Sequence, residues 1–135
     1  MSKLNSFNFR LKITINQIDE LKHVNNIHYV EWVQLAAQRH WKLLSNEQID
    51  SKFVWVVLRH EIDYVSAVTL GDEVKITTWI GDSYGVKSER FVEITKGNKI
   101  VAKAKTIWCL LDKVTMRPVR IPLEILNILT TKDSN

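Results

Sequence analysis

Cysteine, proline and glycine are scarce in this chain of 135 residues, which holds one, two and four of them respectively. The single cysteine, Cys109, excludes an internal disulfide, and its apolar setting in Ile107-Trp108-Cys109-Leu110-Leu111 assigns it to core packing. Neither common Gly-rich phosphate loop is present, nor is Gly-x-Ser-x-Gly, which argues against a helix-start nucleotide site and a serine hydrolase. No apolar run reaches about 18 residues and no signal-type segment follows Met1, so the chain is expected in the cytoplasm and off the membrane. His23, His28 and His40 show no metal-ligand spacing with a third acidic or thiol ligand, so no metal and no cofactor is expected.

Charge of one sign is not concentrated either. The net charge is +4, but lysines and arginines are scattered among acidic residues, which excludes a basic tail and disfavours nucleic acid as a partner. Hydrophobic residues make up 45% and charged residues 25%, globular values with no low-complexity block, and the length suits one domain over residues 1–135.

Phe7, Phe9, Leu11, Ile13 and Ile15 alternate with polar residues, the period of a half-buried strand. The paired asparagines at 25 and 26 suit a helix start. From Ile27 to Leu44 the residues Tyr29, Trp32, Val33, Ala36, Ala37, His40, Leu43 and Leu44 recur at three and four, predicting one helix of about five turns that a sheet encloses. Strand patterns follow over 53–68, 73–81, 85–95 and 99–112, with turns at Leu70-Gly71-Asp72, at 81–85 and at Gly97-Asn98, and predict consecutive antiparallel pairing. Pro118 and Pro122 end the last strand region, and the apolar spacing of 123–130 predicts a short helix. One helix after the first strand, then four strands, is an α+β plan.

The informative stretch is Ile18-Asp19-Glu20-Leu21-Lys22-His23-Val24-Asn25-Asn26-Ile27-His28-Tyr29, at the junction of first strand and long helix. Asp19 supplies a carboxylate, and Asn26 sits where free N–H groups and the positive end of the helix dipole point outward. A carboxylate beside an oxyanion site is an arrangement for acyl transfer.

Asp-x-x-x-His-Val-Asn-Asn-x-x-Tyr followed by Trp32 resembles the long-chain acyl-CoA thioesterases of the 4-hydroxybenzoyl-CoA thioesterase-like hotdog family. Ile62-Asp63-Tyr64 leading to Leu70-Gly71-Asp72-Glu73-Val74, and Ile100-Val101-Ala102-Lys103-Ala104, look like later parts of the same family pattern. The resemblance implies a hotdog fold, an antiparallel sheet of about five strands wrapped around one central helix, in a homodimer or homotetramer with the site at the subunit interface. It implies hydrolysis of medium- to long-chain fatty acyl-CoA in fatty acid metabolism, with Asp19 as the catalytic aspartate and the Asn26 backbone N–H as oxyanion donor. His23, Asn25 and Tyr29 are the substrate-binding candidates. In the aromatic-acyl branch the position of Asn26 is a tyrosine, which favours an aliphatic substrate. His-Val-Asn-Asn is shared with plant acyl-carrier-protein thioesterases, so the motif leaves the carrier open.

Each of these residues also has a bland role. Asp19 suits a turn, His23 a loop satisfied by backbone, Asn25 a helix cap, and Tyr29, Trp32 and Trp41 a core. Arg59, Lys87, Arg90, Arg117 and Arg120 are surface candidates for coenzyme A phosphates. Two rivals are a hotdog enoyl-thioester hydratase, whose Asp-x-Asn-Pro-x-His pattern is absent, and a non-catalytic acyl-thioester sensor.

Overall fold

The computed structural model describes residues 6–130. In chain order they form β1 (Ser6–Lys12), a 3-10 turn (Ile15–Gln17), α1 (Asn26–Leu44), α2 (Glu47–Lys52), β2 (Phe53–Tyr64), β3 (Glu73–Tyr84), β4 (Lys87–Lys96), β5 (Lys99–Asp112) and α3 (Leu123–Thr130). The strands make one antiparallel sheet in the order β1-β3-β4-β5-β2, with the long helix on it, the hotdog architecture of the α+β class.

Helix α1 starts where the extended Asn25 turns its side chain back to accept from the Ile27 N–H at 3.1 Å. Tyr29, Trp32, Val33, Ala36, Ala37 and His40 then fall on one face and are buried. Burial of Val33 alone contributes roughly 1.5–3 kcal/mol. The helix ends as Ser45 becomes extended, and Asn46 caps α2 by accepting from the Ile49 N–H at 2.9 Å.

The inward faces of β3 and β4 follow a period of two. Val74, Ile76, Thr78 and Ile80 are buried on β3, and Ser88, Arg90, Val92 and Ile94 on β4. The core has two parts. One, under the start and middle of α1, gathers Ile13, Val24, Tyr29, Trp32, Val33, Val68 and the apolar ends of the inner strands. The other, beyond the C-terminal end of α1, gathers Ile49, Ile80, Leu110, Ile121, Ile125 and Leu129.

Four sequence expectations change. The first strand stops at Lys12, because Ile13 donates to the Asp72 carbonyl and Ile15 opens the 3-10 turn. The strand read over 53–68 ends at Tyr64, and 46–52 ahead of it, which carried no strand or helix pattern, holds a helix set by the Asn46 cap. The pattern read as a turn at 81–85 is mostly strand. β3 runs to Tyr84 through an irregularity after Ile80, where Gly81 lies so close under Phe91 that a Cβ would meet its ring at 2.6 Å. Pairing is also not consecutive throughout: β2 pairs with β5 and β3 with β1, so residues 65–72 cross from the β2 edge of the sheet to β3, one strand in from the opposite edge. That crossing is held by Val65 and Ser66 N–H bonds to the Val101 carbonyl and by the Val24 N–H bond to the Val68 carbonyl.

Candidate active site

The crossing segment passes beside the start of α1, and the loop between β1 and α1 is laced to it. Ile18 bridges Val24, and His23 bridges Thr69. Inside that loop the Asp19 N–H donates to the His23 carbonyl at 2.9 Å, the Lys22 N–H to the Asp19 carbonyl at 3.0 Å, and Lys22 takes a left-handed φ of 64°. A tight turn of this shape needs an acceptor for its inward N–H groups, and the Asp19 side chain supplies one. Its Oδ1 accepts from Leu21 N–H at 2.9 Å and His23 N–H at 3.2 Å. Oδ2 has no hydrogen-bond partner among the described residues. The carboxylate is thus fixed through one oxygen and open at the other.

At the helix start the Ile27 N–H goes to the Asn25 side chain and the His28 N–H to the Asn25 carbonyl, while the Asn26 N–H has no acceptor among the described residues. That orphan donor at the positive end of a 19-residue helix is a ready site for a developing negative oxygen. A cavity of about 240 Å³ opens beside it, lined by His23, Asn26, Tyr29, Tyr64 and residues 65–68. The Tyr29 ring is buried edge-on against Trp32 and Tyr64, each at 5.2 Å, and burial raises its hydroxyl pKa, with the Tyr64 phenol adding to the rise.

The structure therefore brings His23, Asn26 and Tyr29 to one cavity. Asp19 is tied to that cavity through His23 and does not line it, and the Asn25 side chain is occupied with capping. Tyr64 and Ser66, also on the wall, went unnamed as site residues, because only the crossing of 65–72 brings them there.

A larger cavity, about 390 Å³, lies at the other end of α1. Trp41, Phe53, Trp55 and Leu129 form apolar wall, and Ser88, Arg90 and Trp108 add polar groups. From Asn26 to Trp41 the helix rises about 22 Å. Here the expectation of a surface arginine is corrected: Arg90 is only 6% exposed. It shares the inward phase of Val92 and Ile94, a period-two signal already in the sequence. Its Nη1 donates to His40 Nδ1 at 2.8 Å and to Thr78 Oγ1 at 3.2 Å, so the His40 ring nitrogen facing it carries no proton. Burial pulls the guanidinium down to about 10, which leaves it charged at neutral pH. Of the other cationic candidates, Arg59 is exposed and pairs with Glu61 at 2.7 Å, and Lys87, Arg117 and Arg120 are exposed.

Midway along α1, Gln34 and Thr106 flank His60, at 3.4 Å from Nε2 and 2.9 Å from Nδ1. Burial lowers the His60 pKa and so favours the neutral ring. Among the described residues no group of three or more His, Cys, Asp or Glu is arranged to hold a metal ion, and no helix is long and apolar enough to cross a membrane.

Residues 13–129 match the sequence profile of a family described as the Thioesterase-like superfamily. A thioesterase from Thermus thermophilus, solved with coenzyme A and zinc, is similar in structure with a TM-score of 0.80 and 25% identity, over 90% of each chain. A predicted thioesterase from Bacillus stearothermophilus gives a TM-score of 0.83 at 23% identity, over 92% of this chain and 93% of that one. The chloroplastic palmitoyl-acyl carrier protein thioesterase of Gossypium hirsutum is 28% identical over 81 residues, 58% of this chain. The chain spans about a fifth to a quarter of the length of such curated plant relatives.

Proposed function

The chain belongs to the thioesterase-like superfamily, and from that premise we propose that it hydrolyses an acyl-CoA thioester to the free acid and CoA. The observation that carries the reading is an unengaged Asn26 N–H on the cavity wall at the start of α1 and, tied to that wall through His23, a carboxylate whose Oδ2 is open. The thioester carbonyl oxygen sits at the Asn26 N–H, and Asp19 either takes a proton from the attacking water or attacks the carbonyl carbon itself to form a mixed anhydride. In both routes the carbon–sulfur bond breaks and CoA leaves as a thiolate that takes up a proton, from Asp19 in the first route and from solvent in the second, where water then hydrolyses the anhydride to the free acid and restores the Asp19 carboxylate. His23 and Tyr29 wall the thioester group, and Asn25 acts by holding the helix start in shape.

The acyl group is aliphatic and of medium to long chain, a reading supported by the apolar wall of the larger cavity. That cavity is too far along α1 to serve the Asn26 site of its own subunit with a short acyl group. A homodimer resolves this. β2 is an edge strand of 12 residues whose first six, Phe53 to Leu58, are all apolar, the kind of edge that a second chain covers. Two-fold pairing on that edge is antiparallel, so the Phe53 end of one β2 lies beside the Tyr64 end of the other. The larger cavity of one subunit then adjoins the Asn26 site of its partner.

An acyl-carrier-protein thioester is the second reading, favoured by the names of the curated plant relatives. Thiol release from a series of acyl-CoA esters, short to long, with one aromatic ester and an acyl-carrier-protein ester alongside, tests the proposal. Medium to long aliphatic acyl-CoA is expected to turn over fastest. Binding without thiol release would reduce the protein to a sensor, and a preference for the carrier-protein ester would move it to the second reading. Asp19→Asn is expected to lower kcat/KM by at least roughly 100- to 1,000-fold with the fold intact.

A further inference from the structure

The inner face of β4 changes character along its length: Val92 and Ile94 are apolar, whereas Ser88 and Arg90 in the same phase are polar and face the larger cavity. Arg90 has lost most of its contact with water, yet its two partners, His40 and Thr78, are not anions, and it forms no ion pair with a carboxylate among the described residues. A buried cation without a counter-charge is an unfavourable arrangement, and proteins keep one where a ligand supplies the missing charge. Only Nη1 of the guanidinium is engaged, so Nε and Nη2 remain as donors on the side chain that lines the cavity. Trp108, on the same wall, carries the one sealed polar side-chain atom among the described residues that has no partner, its Nε1. Ser88 is held by the Ser83 hydroxyl at 2.9 Å.

The Arg90 guanidinium is thus the donor at the floor in search of an acceptor, and the wall around it is indole, phenyl and leucine. The mouth carries Lys42 and Lys113 against a single carboxylate, Asp50, whose Oδ1 accepts from Ser45 Oγ at 2.7 Å. A ligand that fits this sequence of surfaces has an apolar stem and an anionic, planar, acceptor-rich end. We propose that this cavity receives the acyl tail of the substrate and selects acyl groups that end in a carboxylate, bound by the Arg90 guanidinium. A carboxylate offers two acceptor oxygens to a guanidinium that still holds free donors in one plane. A methyl-ended chain leaves those donors unpaired. The proposal rests on the thioesterase reading for the identity of the ligand as an acyl group, on the two-fold pairing of β2 for the path from the partner's site, and on the cavity alone for its charge.

Decanoyl-CoA and sebacyl-CoA differ only in the terminal carboxylate and make the test. The wild-type protein is expected to favour sebacyl-CoA in kcat/KM by on the order of ten- to a hundredfold. Arg90→Met, which keeps the volume and removes the charge, should collapse that ratio toward or below one. Free sebacic acid should quench the tryptophans that line the cavity at concentrations where decanoic acid does not. If Arg90→Met does not fold, Arg90→Lys, which keeps a positive charge and loses the planar guanidinium, should still lower the ratio, and the wild-type titration decides in any case. Equal turnover of the two esters, or a ratio that Arg90→Met leaves in place, would overturn the proposal. Failure of the thioesterase reading looks different, because neither ester would then be cleaved while the sebacic acid titration still reports on the cavity.

Discussion

The two ends of α1 are built in opposite ways. At the N-terminal end, the groups read as catalytic, Asp19 and Asn26, come from one stretch of eight residues and are held mainly by short-range bonds, from the Leu21 and His23 N–H groups to the Asp19 side chain and from the Ile27 N–H to the Asn25 side chain. At the C-terminal end, the cavity takes its walls from α1, α2, three strands and α3, and its polar floor depends on a contact between residues 40 and 90. A local construction keeps a carboxylate and an amide in place with little help from the core. A distributed construction can shape a volume, but only if the whole sheet is in register.

The contrast predicts where damage shows. Leu110 is fully buried in the second core cluster, and Leu110→Ala should cost about 2–5 kcal/mol in denaturant unfolding. A loss below about 1 kcal/mol would mean that this end is already loosely packed and the cavity ill-defined. Asn25→Ala should cost about 1 kcal/mol, the value of one helix cap, because only the Ile27 N–H loses its partner. A cost as large as that of Leu110→Ala would show that the N-terminal end is not locally held.

A smaller effect tests the brace behind the motif. Asp72 accepts from the Thr69 N–H at 2.9 Å and Thr69 Oγ1 at 3.0 Å, and pairs with Lys96 at 3.0 Å. The Thr69 backbone bond leads the causes that lower its pKa below 3.8. A depressed carboxylate stabilises the fold above its unfolded value and loses that contribution as pH falls through the folded one. Thermal midpoints of wild type and Asp72→Asn should therefore differ at neutral pH and converge below pH 3.8. A constant difference across that window would remove the charge from the explanation.

The same contrast explains what the sequence revealed. The 19 residues of α1 and the inner phase of β3 are visible as periods of 3.6 and two, because each element meets a single enclosed surface. Asp19, Asn26 and Tyr29 are legible as a unit because their geometry is local. The pairing of β2 with β5, and with it the path of 65–72 that brings Tyr64 and Ser66 to His23, is non-local and leaves no mark on any one segment. Arg90 is the instructive case. Its charge suggested surface, but its phase with Val92 and Ile94 placed it inside, and position proved the stronger signal.

The central claim is that the N-terminal end of α1 acts through a backbone N–H at residue 26. Asn25 is extended, at φ −66° and ψ 138°, the conformation that tolerates a following proline, and proline is well suited to the first position of a helix. Asn26→Pro deletes the amide hydrogen and Asn26→Ala keeps it. With thiol release measured on the same acyl-CoA ester and helicity matched by circular dichroism, Asn26→Pro should lose roughly 100- to 1,000-fold in kcat, while Asn26→Ala stays near wild type. A proline variant with near wild-type turnover, or an alanine variant as impaired as the proline one, would contradict the account.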